Sequence, residues 1–165
     1  RKSRSRRRAM HESFFRCMNL VHLLLRSARW LPERPALAVG KRPVRTYREM
    51  ASRVAKISSG LKRRFNLQQH DRVALAMKNC PEFYEVLFAC WHAGLTAVPM
   101  NAKLHPKEFA YILENSGSKL CFVSSDLQSA VPSGIAPDEA LGNAEVPPVD
   151  VEPGDVANLP PGISF

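Results

Sequence analysis

Strand-like and helix-like segments alternate with only short connections between residues 72 and 124. Three apolar runs suit buried strands, and the two segments between them suit helices; in chain order they cover residues 72–77, 82–93, 95–100, 106–117 and 119–124. Strands joined by whole helices run parallel, because the chain must return to the same end of the sheet before each new strand. The sequence therefore predicts the α/β class, with a partial parallel sheet and crossover helices on its faces.

The first of these helices has recognisable boundary residues. Asn79 is predicted to cap the free backbone amides, Pro81 fits the first turn, and Gly94 ends the helix. Glu82 and Glu85 are interpreted as acids that complement the positive end of the helix dipole. These residues have structural roles in this interpretation.

Two further helices are predicted upstream of the sheet. The first begins near Met18 and ends at Pro32, and its apolar face comprises Leu20, Leu24, Ala28 and Leu31. Short extended pieces follow at residues 36–39 and 44–47. Thr46 and Glu49 then form a capping box that opens the second helix. Its inward face is predicted to comprise Tyr47, Met50, Ala51, Val54, Ile57 and Leu61.

Charge divides the 165-residue chain into regions. Residues 1–17 carry seven basic residues and one acid, whereas residues 120–165 carry seven acids and no Lys or Arg. We predict a basic disordered arm or leader over residues 1–17, an α/β subdomain over 18–125, and a linker rich in Pro and Gly over 126–165. No element after residue 125 is predicted to cover the edge of the sheet.

The basic arm leaves three interpretations open. Six of its first eight residues are basic, and no apolar periodicity appears before Met18, which we expect to be the natural start. The arm could be a solvated tail, or residues 1–8 could neutralise phosphates of nucleic acid or anionic lipid. Its acid-poor composition, rich in Arg and Ser, is also typical of a targeting leader. We therefore expect a cytoplasmic protein, or a mitochondrial one if residues 1–30 act as a leader.

The side chains that could take part in acid–base chemistry are assigned structural roles. His70 and Asp71 precede a strand, and Asp71 is predicted to shape the turn there. His92 lies at a helix end and is predicted to contact free backbone carbonyls, while His105 is predicted to begin the helix that starts at Pro106. No residue of the chain is predicted to be catalytic, to bind a cofactor or to ligate a metal ion.

The cysteines, Cys17, Cys80, Cys90 and Cys121, have neither C-x-x-C spacing nor a histidine at zinc-finger distance. The last three lie on or beside apolar elements and are predicted to pack as small hydrophobic groups. No G-x-G sequence occurs, which excludes a dinucleotide-binding fingerprint. The longest uninterrupted apolar run is six residues, whereas a bilayer-crossing helix needs roughly 20, so no transmembrane segment is predicted.

Seven short segments carry a family resemblance that extends from residue 19 to about residue 157. They are PERPA at 32–36, TY at 46–47, HDRVAL at 70–75, MKNCPEF at 77–83, VLFACWHAG at 86–94, VPMN at 98–101 and LHPKE at 104–108. In this order they closely resemble the N-terminal part of AMP-forming acyl-CoA synthetases, the fatty-acid and carboxylate CoA ligases of the adenylate-forming superfamily. The resemblance implies the N-terminal subdomain of an AMP-binding enzyme fold.

The resemblance also implies a two-step ligase reaction. A carboxylate attacks the α-phosphate of ATP and pyrophosphate leaves; the thiol of coenzyme A then captures the acyl adenylate. ATP, Mg²⁺ and coenzyme A are the cofactors of the full-length family, and none of them is assigned to residues of this chain. The implied partners are the missing downstream part of the AMP-binding domain, the C-terminal domain, and a fatty or other carboxylic acid as substrate.

The catalytic segments of the family do not occur in this sequence. Family members hold the phosphates on a loop like YTSGTTG-x-PKG, whose glycines allow close backbone approach and whose hydroxyls and lysine bind oxyanions. Residues 152–157 resemble the stretch that introduces this loop, but the sequence diverges from about residue 158. Lys103, Lys107 and Lys119 lack such a cradle.

We therefore expect this fragment by itself to be inactive. Truncation, alternative splicing and a shifted reading frame are open explanations for the divergence from about residue 158. The alternative function is a non-enzymatic basic module that binds anionic membrane or nucleic acid through residues 1–8, with nucleic acid the less favoured partner.

Overall fold

The structure, a computed structural model, describes residues 19–150 of the chain. The predicted arm at residues 1–17 and the predicted divergence from residue 158 lie outside the described residues. In chain order the regular elements are α1 (Val21–Trp30), β1 (Pro35–Val39), β2 (Arg42–Thr46), α2 (Tyr47–Arg63), β3 (Arg72–Ala76), α3 (Pro81–His92), β4 (Thr96–Met100), α4 (Pro106–Ser116), β5 (Leu120–Val123) and two 3₁₀ turns (Ser125–Leu127 and Pro137–Ala140).

Strands β3, β4 and β5 form a parallel sheet in the order β4–β3–β5. In its register Arg72 is paired with Thr96, and Val73 with both Ala97 and Leu120. The first strand of the series is thus central, and the chain passes to one side of it and then crosses to the other. The carboxyl ends of all three strands lie at one edge of the sheet, and the predicted α/β class with parallel strands is confirmed.

Helices cover both faces of this sheet because side chains alternate along β3. Val73 and Leu75 point to one face and pack with α1, α2 and α3. Ala74 and Ala76 point to the other face, where Phe109 of α4 is fully buried against them. The separate antiparallel hairpin of β1 and β2 leads into α2.

The helix boundaries follow local chemistry, with one correction. The capping box of Thr46 and Glu49 is present, and Gly94 follows α3 with a left-handed φ of 71°. The predicted cap by Asn79 is wrong, since the N-cap of α3 is Cys80, which makes no side-chain cap hydrogen bond. The residue before a proline is restricted to extended backbone, and Pro81 therefore places the helix boundary at Cys80.

The predicted apolar face of α1 is correct at its centre and wrong at its ends. Leu24 is buried, as expected, and Val21 is fully buried beside it. Leu20 and Leu31, however, are 45% and 51% exposed. These two residues are the N-cap and C-cap of α1, and the C-cap departs from helical backbone with φ −134° and ψ 48°, so Leu31 does not follow the helical spacing.

The segment after β5 covers the edge of the sheet, which corrects the expectation that no element does so. Ile135 forms a parallel bridge with Phe122 of β5. The Val123 amide donates to the Ile135 carbonyl over 2.9 Å, and the Ile135 amide donates to the Cys121 carbonyl over 2.9 Å. Val131 is also buried, against the α4 face. The domain boundary at residue 125 stays a prediction, but residues 126–150 pack on the sheet and on α2.

Candidate functional site

Glu85 of α3 is the fully buried centre of a charge cluster. Its Oε1 accepts a hydrogen bond from Nε of Arg45 over 3.1 Å, and its Oε2 accepts one from Nε of Arg53 over 2.6 Å. Nη2 of Arg53 donates in turn to Oδ1 of Asp138 over 2.7 Å. One carboxylate therefore joins α3 to β2 and α2, and Arg53 extends the network to the second 3₁₀ turn. Such charge-assisted hydrogen bonds are needed to hold a buried carboxylate in its ionised form.

The electrostatics of Arg53 reflect its two partners. Burial lowers the pKa of its guanidinium, but the hydrogen bonds to Asp138 and Glu85 outweigh that effect and hold the pKa above its usual value. The two arginines and the two carboxylates of the cluster balance in charge. We interpret the cluster as a structural ion-pair network that fixes α2, α3 and β2 to one another.

The interpretation of Glu85 as a helix-dipole acid is therefore wrong. It is the fifth residue of α3 and points into the protein, along the same helical stripe as the buried Ala89 and His92. A signal for this was present in the sequence, since Glu85, Ala89 and His92 follow the spacing of one helix face. The partners Arg45 and Arg53 carried no comparable signal.

A cleft of about 730 Å³ opens beside this network. Arg45, Ser52, Arg53 and Glu145 contribute to its walls. Oγ of Ser52 donates to Oε1 of Glu145, which ties residue 145 to α2. The three arginines that line the cleft, Arg45, Arg48 and Arg53, are each bound to a carboxylate, and we assign no ligand to it.

His92 is buried, and its ring contacts both a side chain of α2 and the backbone at the end of its own helix. Its Nδ1 lies 3.0 Å from Oγ of Ser58 in α2, a partner that the sequence does not predict, and the ring also hydrogen-bonds the backbone of His92 itself. The backbone carbonyl of His92 accepts from the Val149 amide over 2.9 Å. Burial lowers the pKa of His92 to about 4, and the positive charge of Lys62 adds to the effect. The ring is therefore neutral at pH 7.

Asp71 and His105 have the structural roles that the sequence predicts. Oδ2 of Asp71 accepts from the Gln68 amide over 2.8 Å and so closes the turn before β3. The hydrogen bonds from Lys119 and Gln68 lower the pKa of Asp71. His105 is the N-cap of α4, and its Nδ1 accepts from the Lys107 amide. His70 lies in the same turn as Asp71, with a φ of 69°.

The described cysteines lie in or beside the core. Cys90 and Cys121 are buried, and burial raises their pKa values to about 12 and about 11. Cys80 is half-buried, and burial raises its pKa as well. These three thiols are protonated at neutral pH, as expected for packing groups. Cys17 lies outside the described residues.

A second cleft, of about 630 Å³, lies at the carboxyl ends of β3 and β4. Crevices at this end of parallel strands are the usual ligand sites of open α/β sheets. Lys78 and Lys103 contribute to its lining. Nζ of Lys78 binds Oδ2 of Asp126 over 2.5 Å, and this hydrogen bond lowers the pKa of Asp126.

The structure does not bring together Lys103, Lys107 and Lys119, the three lysines for which the sequence predicts no phosphate-binding cradle. Lys103 follows β4 at the carboxyl edge, whereas Lys119 precedes β5 at the opposite edge, where its Nζ binds Oδ1 of Asp71 over 2.8 Å. Lys107 belongs to the first turn of α4. Within residues 19–150, moreover, no group of three His, Cys, Asp or Glu side chains is placed to hold a metal ion.

The family model of the AMP-binding enzymes matches residues 24–158. The chain belongs to the AMP-binding enzyme family. It is 38% identical over 96 residues to feruloyl-CoA synthase of Amycolatopsis, a match that covers 58% of this chain and 19% of that protein. It is 32% identical over 113 residues to the long-chain-fatty-acid–CoA ligase of Haemophilus influenzae, covering 68% of this chain and 20% of that protein.

A solved structure of the same fold is the N-terminal subdomain of NpsA from Klebsiella oxytoca. The TM-score is 0.69 at 22% identity, and the match covers 85% of this chain and 36% of that one. The chain therefore corresponds to the N-terminal portion of the AMP-forming CoA ligases, and it spans about a fifth of the length of the curated relatives named above.

The AMP-binding match ends close to the predicted point of divergence. It extends to residue 158, the position from which the sequence is expected to depart from the family. In the described part of this AMP-binding family member, none of the helices combines the length and the apolar composition that a bilayer crossing requires. In this N-terminal portion of the enzyme family, the candidate ligand-binding surface is the cleft at the carboxyl ends of β3 and β4.

Proposed function

We propose that residues 19–150 are the scaffold of an ATP-dependent acyl-CoA synthetase. The match of the AMP-binding family model over residues 24–158 carries this proposal. In the whole enzyme, a carboxylate oxygen attacks the α-phosphorus of ATP and pyrophosphate leaves. The sulfur of coenzyme A then attacks the acyl carbon and AMP leaves. The substrate is a fatty or other carboxylic acid.

The role proposed for this portion is to hold the sheet that carries the carboxyl-edge cleft. The network around Glu85 supports this role, because it fixes α2 and α3 on one face of the sheet. The neutral side chain of His92 and the protonated thiol of Cys90 pack on this face of the sheet, whereas the protonated thiol of Cys121 packs on the opposite face. No residue among 19–150 is proposed as catalytic.

The described residues do not fit the Mg²⁺ ion that the family uses. Hard divalent cations need several oxygen ligands at one point, and no cluster of three acidic or histidine side chains is placed for this among residues 19–150. We therefore assign metal binding, phosphate binding and the catalytic lysine of the family to the downstream part of the enzyme. No step of the reaction is attributed to Mg²⁺ bound by this portion.

The 165-residue polypeptide is proposed to be inactive when assayed by itself. Positioned donors at a reacting phosphate each contribute roughly 100-fold to 1,000-fold in rate, and the sequence contains no glycine-rich phosphate loop. The test is carboxylate-dependent exchange of labelled pyrophosphate into ATP, with short, medium and long acids, beside a full-length synthetase. We expect exchange at the level of a no-protein blank. Exchange that tracks with the purified polypeptide would refute the assignment of catalysis to the downstream part.

The proposal that this chain is part of a synthetase has a second, independent test. The genomic sequence after the codon for Ala157 is expected to encode, in some reading frame or neighbouring exon, a glycine-rich phosphate loop. A genomic neighbourhood without one would contradict the synthetase proposal, independently of the exchange assay. The cytoplasmic location, the mitochondrial alternative and the binding of anionic membrane or nucleic acid by residues 1–8 stay predictions.

A further inference from the structure

Two large apolar side chains project from the outer face of α1. Leu23 is 62% exposed and Trp30 is 73% exposed. They are seven residues apart, which places them on the same side of the helix, about 10 Å from each other along its axis. Leu20 and Leu31, at the two ends of α1, are also exposed. We call these four residues the outer strip of α1.

Basic side chains are interleaved with this strip. Arg26 follows Leu23 by three positions and precedes Trp30 by four, so it lies between them on the same helix face. The guanidinium of Arg29 lies over the ring of Trp30, 5.8 Å from its centre. Helix α1 contains no acidic residue, and both arginines are exposed. The exposed surface of this helix is therefore apolar and positive at once.

This combination favours a lipid surface over a protein partner. Trp and Arg are also found together in protein interfaces, but α1 exposes positive charge without any acidic residue, and a basic face of one sign complements the phosphates of anionic lipid. At a bilayer interface, Leu and Trp side chains enter the boundary between headgroups and acyl chains. Arginine stems reach from the same face to lipid phosphates. Tryptophan is also enriched at that depth.

The opposite side of α1 is already anchored in the protein. Val21 and Leu24 are buried in the core, so the helix presents its outer strip without any rearrangement. Upstream of α1 the sequence carries seven basic residues and one acid within residues 1–17, and a basic stretch of this kind is itself attracted to anionic lipid. We propose that the outer strip of α1 docks the protein on anionic lipid membranes. This inference does not depend on the proposed ligase reaction.

The test uses the full chain with vesicles of phosphatidylcholine alone or mixed with phosphatidylglycerol. With anionic vesicles we expect a blue shift of tryptophan emission, quenching by bromine-labelled acyl chains, and weaker binding at high salt. Trp30→Phe should remove the shift and the quenching, because the second tryptophan, Trp91, is already partly buried in α3. Neutral vesicles should bind much more weakly.

Point variants identify the surface. Leu23→Gln and Trp30→Gln should each weaken vesicle binding about tenfold, since each removes a side chain that would enter the lipid. Arg26→Gln should weaken binding to anionic vesicles about fivefold. The matched control is Tyr111→Gln on α4, which is 65% exposed in wild type and should bind like the unaltered chain. Far-UV circular dichroism checks that every variant retains its fold.

Three results would overturn the proposal. The first is that the full chain does not bind anionic vesicles. The second is binding that is lost when residues 1–17 are deleted but is unaffected by Leu23→Gln and Trp30→Gln, which would assign it to the arm alone. The third is self-association that these two variants abolish while vesicle binding is unchanged, which would make a second copy of the chain the occupant of the strip.

Discussion

Gly60 of α2 lies directly against the backbone carbonyl of Ala140. A Cβ atom placed on Gly60 would be only 1.9 Å from the carbonyl oxygen of Ala140. Beside this contact, the Gly142 amide donates to the carbonyl of Lys56 over 2.9 Å. The segment after β5 therefore crosses α2 at a distance that only glycine allows, and Ser58 and Ser59 are buried on the same helix.

The variant Gly60→Ala should be destabilised despite its helical position. Replacing glycine by alanine inside a helix ordinarily stabilises by about 1 kcal/mol. Here the added methyl group would force residues 138–142 away from α2, and we expect a net loss of about 2 kcal/mol in the free energy of unfolding. Urea denaturation measures it. Gly40→Ala, where no atom lies within 4 Å but φ is 60°, is the control and should lose about 1 kcal/mol.

The variant Glu85→Gln should be strongly destabilised, because Arg45 and Arg53 would lose the carboxylate they share. Breaking a buried ion pair from one side costs about 3 kcal/mol or more. The matched control is Glu82→Gln in the first turn of the same helix, for which we expect a loss below about 1 kcal/mol. Equal effects of the two variants in urea denaturation would mean that Glu85 acts only through the helix dipole.

Stability should fall in mild acid because of His92. Its pKa in the folded protein is lowered to about 4, chiefly by burial, whereas an unfolded histidine titrates near 6.5. The unfolded chain then binds the proton more tightly than the folded protein does. The stability that neutral His92 contributes is therefore fully present above about pH 6.5 and is lost as the pH falls toward 4. Between pH 7 and pH 4.5 we expect a loss of about 2–3 kcal/mol.

Unfolding at several pH values tests this assignment. His92→Gln should flatten the dependence between pH 7 and pH 4.5, whatever its effect on stability at pH 7. An unchanged slope in His92→Gln would assign the acid sensitivity to another group.

The pairing of Ile135 with β5 should be visible in hydrogen exchange. The amides of Val123 and Ile135 both donate across this edge and should exchange slowly. Ile135→Pro removes one donor and should cost about 1–3 kcal/mol while speeding exchange at Val123. Ile135→Val keeps the hydrogen bond and serves as the control. Fast exchange at both amides in the wild type would contradict the pairing.

Much of the fold follows from signals between near neighbours in the sequence. The capping box of Thr46 and Glu49 spans three residues, and Gly94 ends α3 through its own backbone conformation. The alternation of apolar strands with helices predicts the parallel sheet. Each of these signals depends on side chains within about one helical turn, or on the regular period of a single element, and can therefore be read without knowing the rest of the structure.

The candidate site could not be predicted in this way. Glu85 is bound by residues 40 and 32 positions away, and Arg53 reaches a carboxylate 85 positions away. No local pattern connects such residues, and Glu85 in the first turns of a helix is equally compatible with an exposed dipole partner. Only its place on the buried stripe of α3 hinted at another role.

What the sequence determined by itself was the α/β class, the family resemblance and most helix ends, because these depend on local backbone preference and on the order of motifs. The tertiary structure alone decided that Glu85 is an internal ion-pair partner, that His92 pairs with Ser58, and that Ile135 covers β5. Burial is the physical reason. A charged, polar or edge group taken from water must find its hydrogen-bond partner wherever the fold places one, and that partner need not be close in sequence.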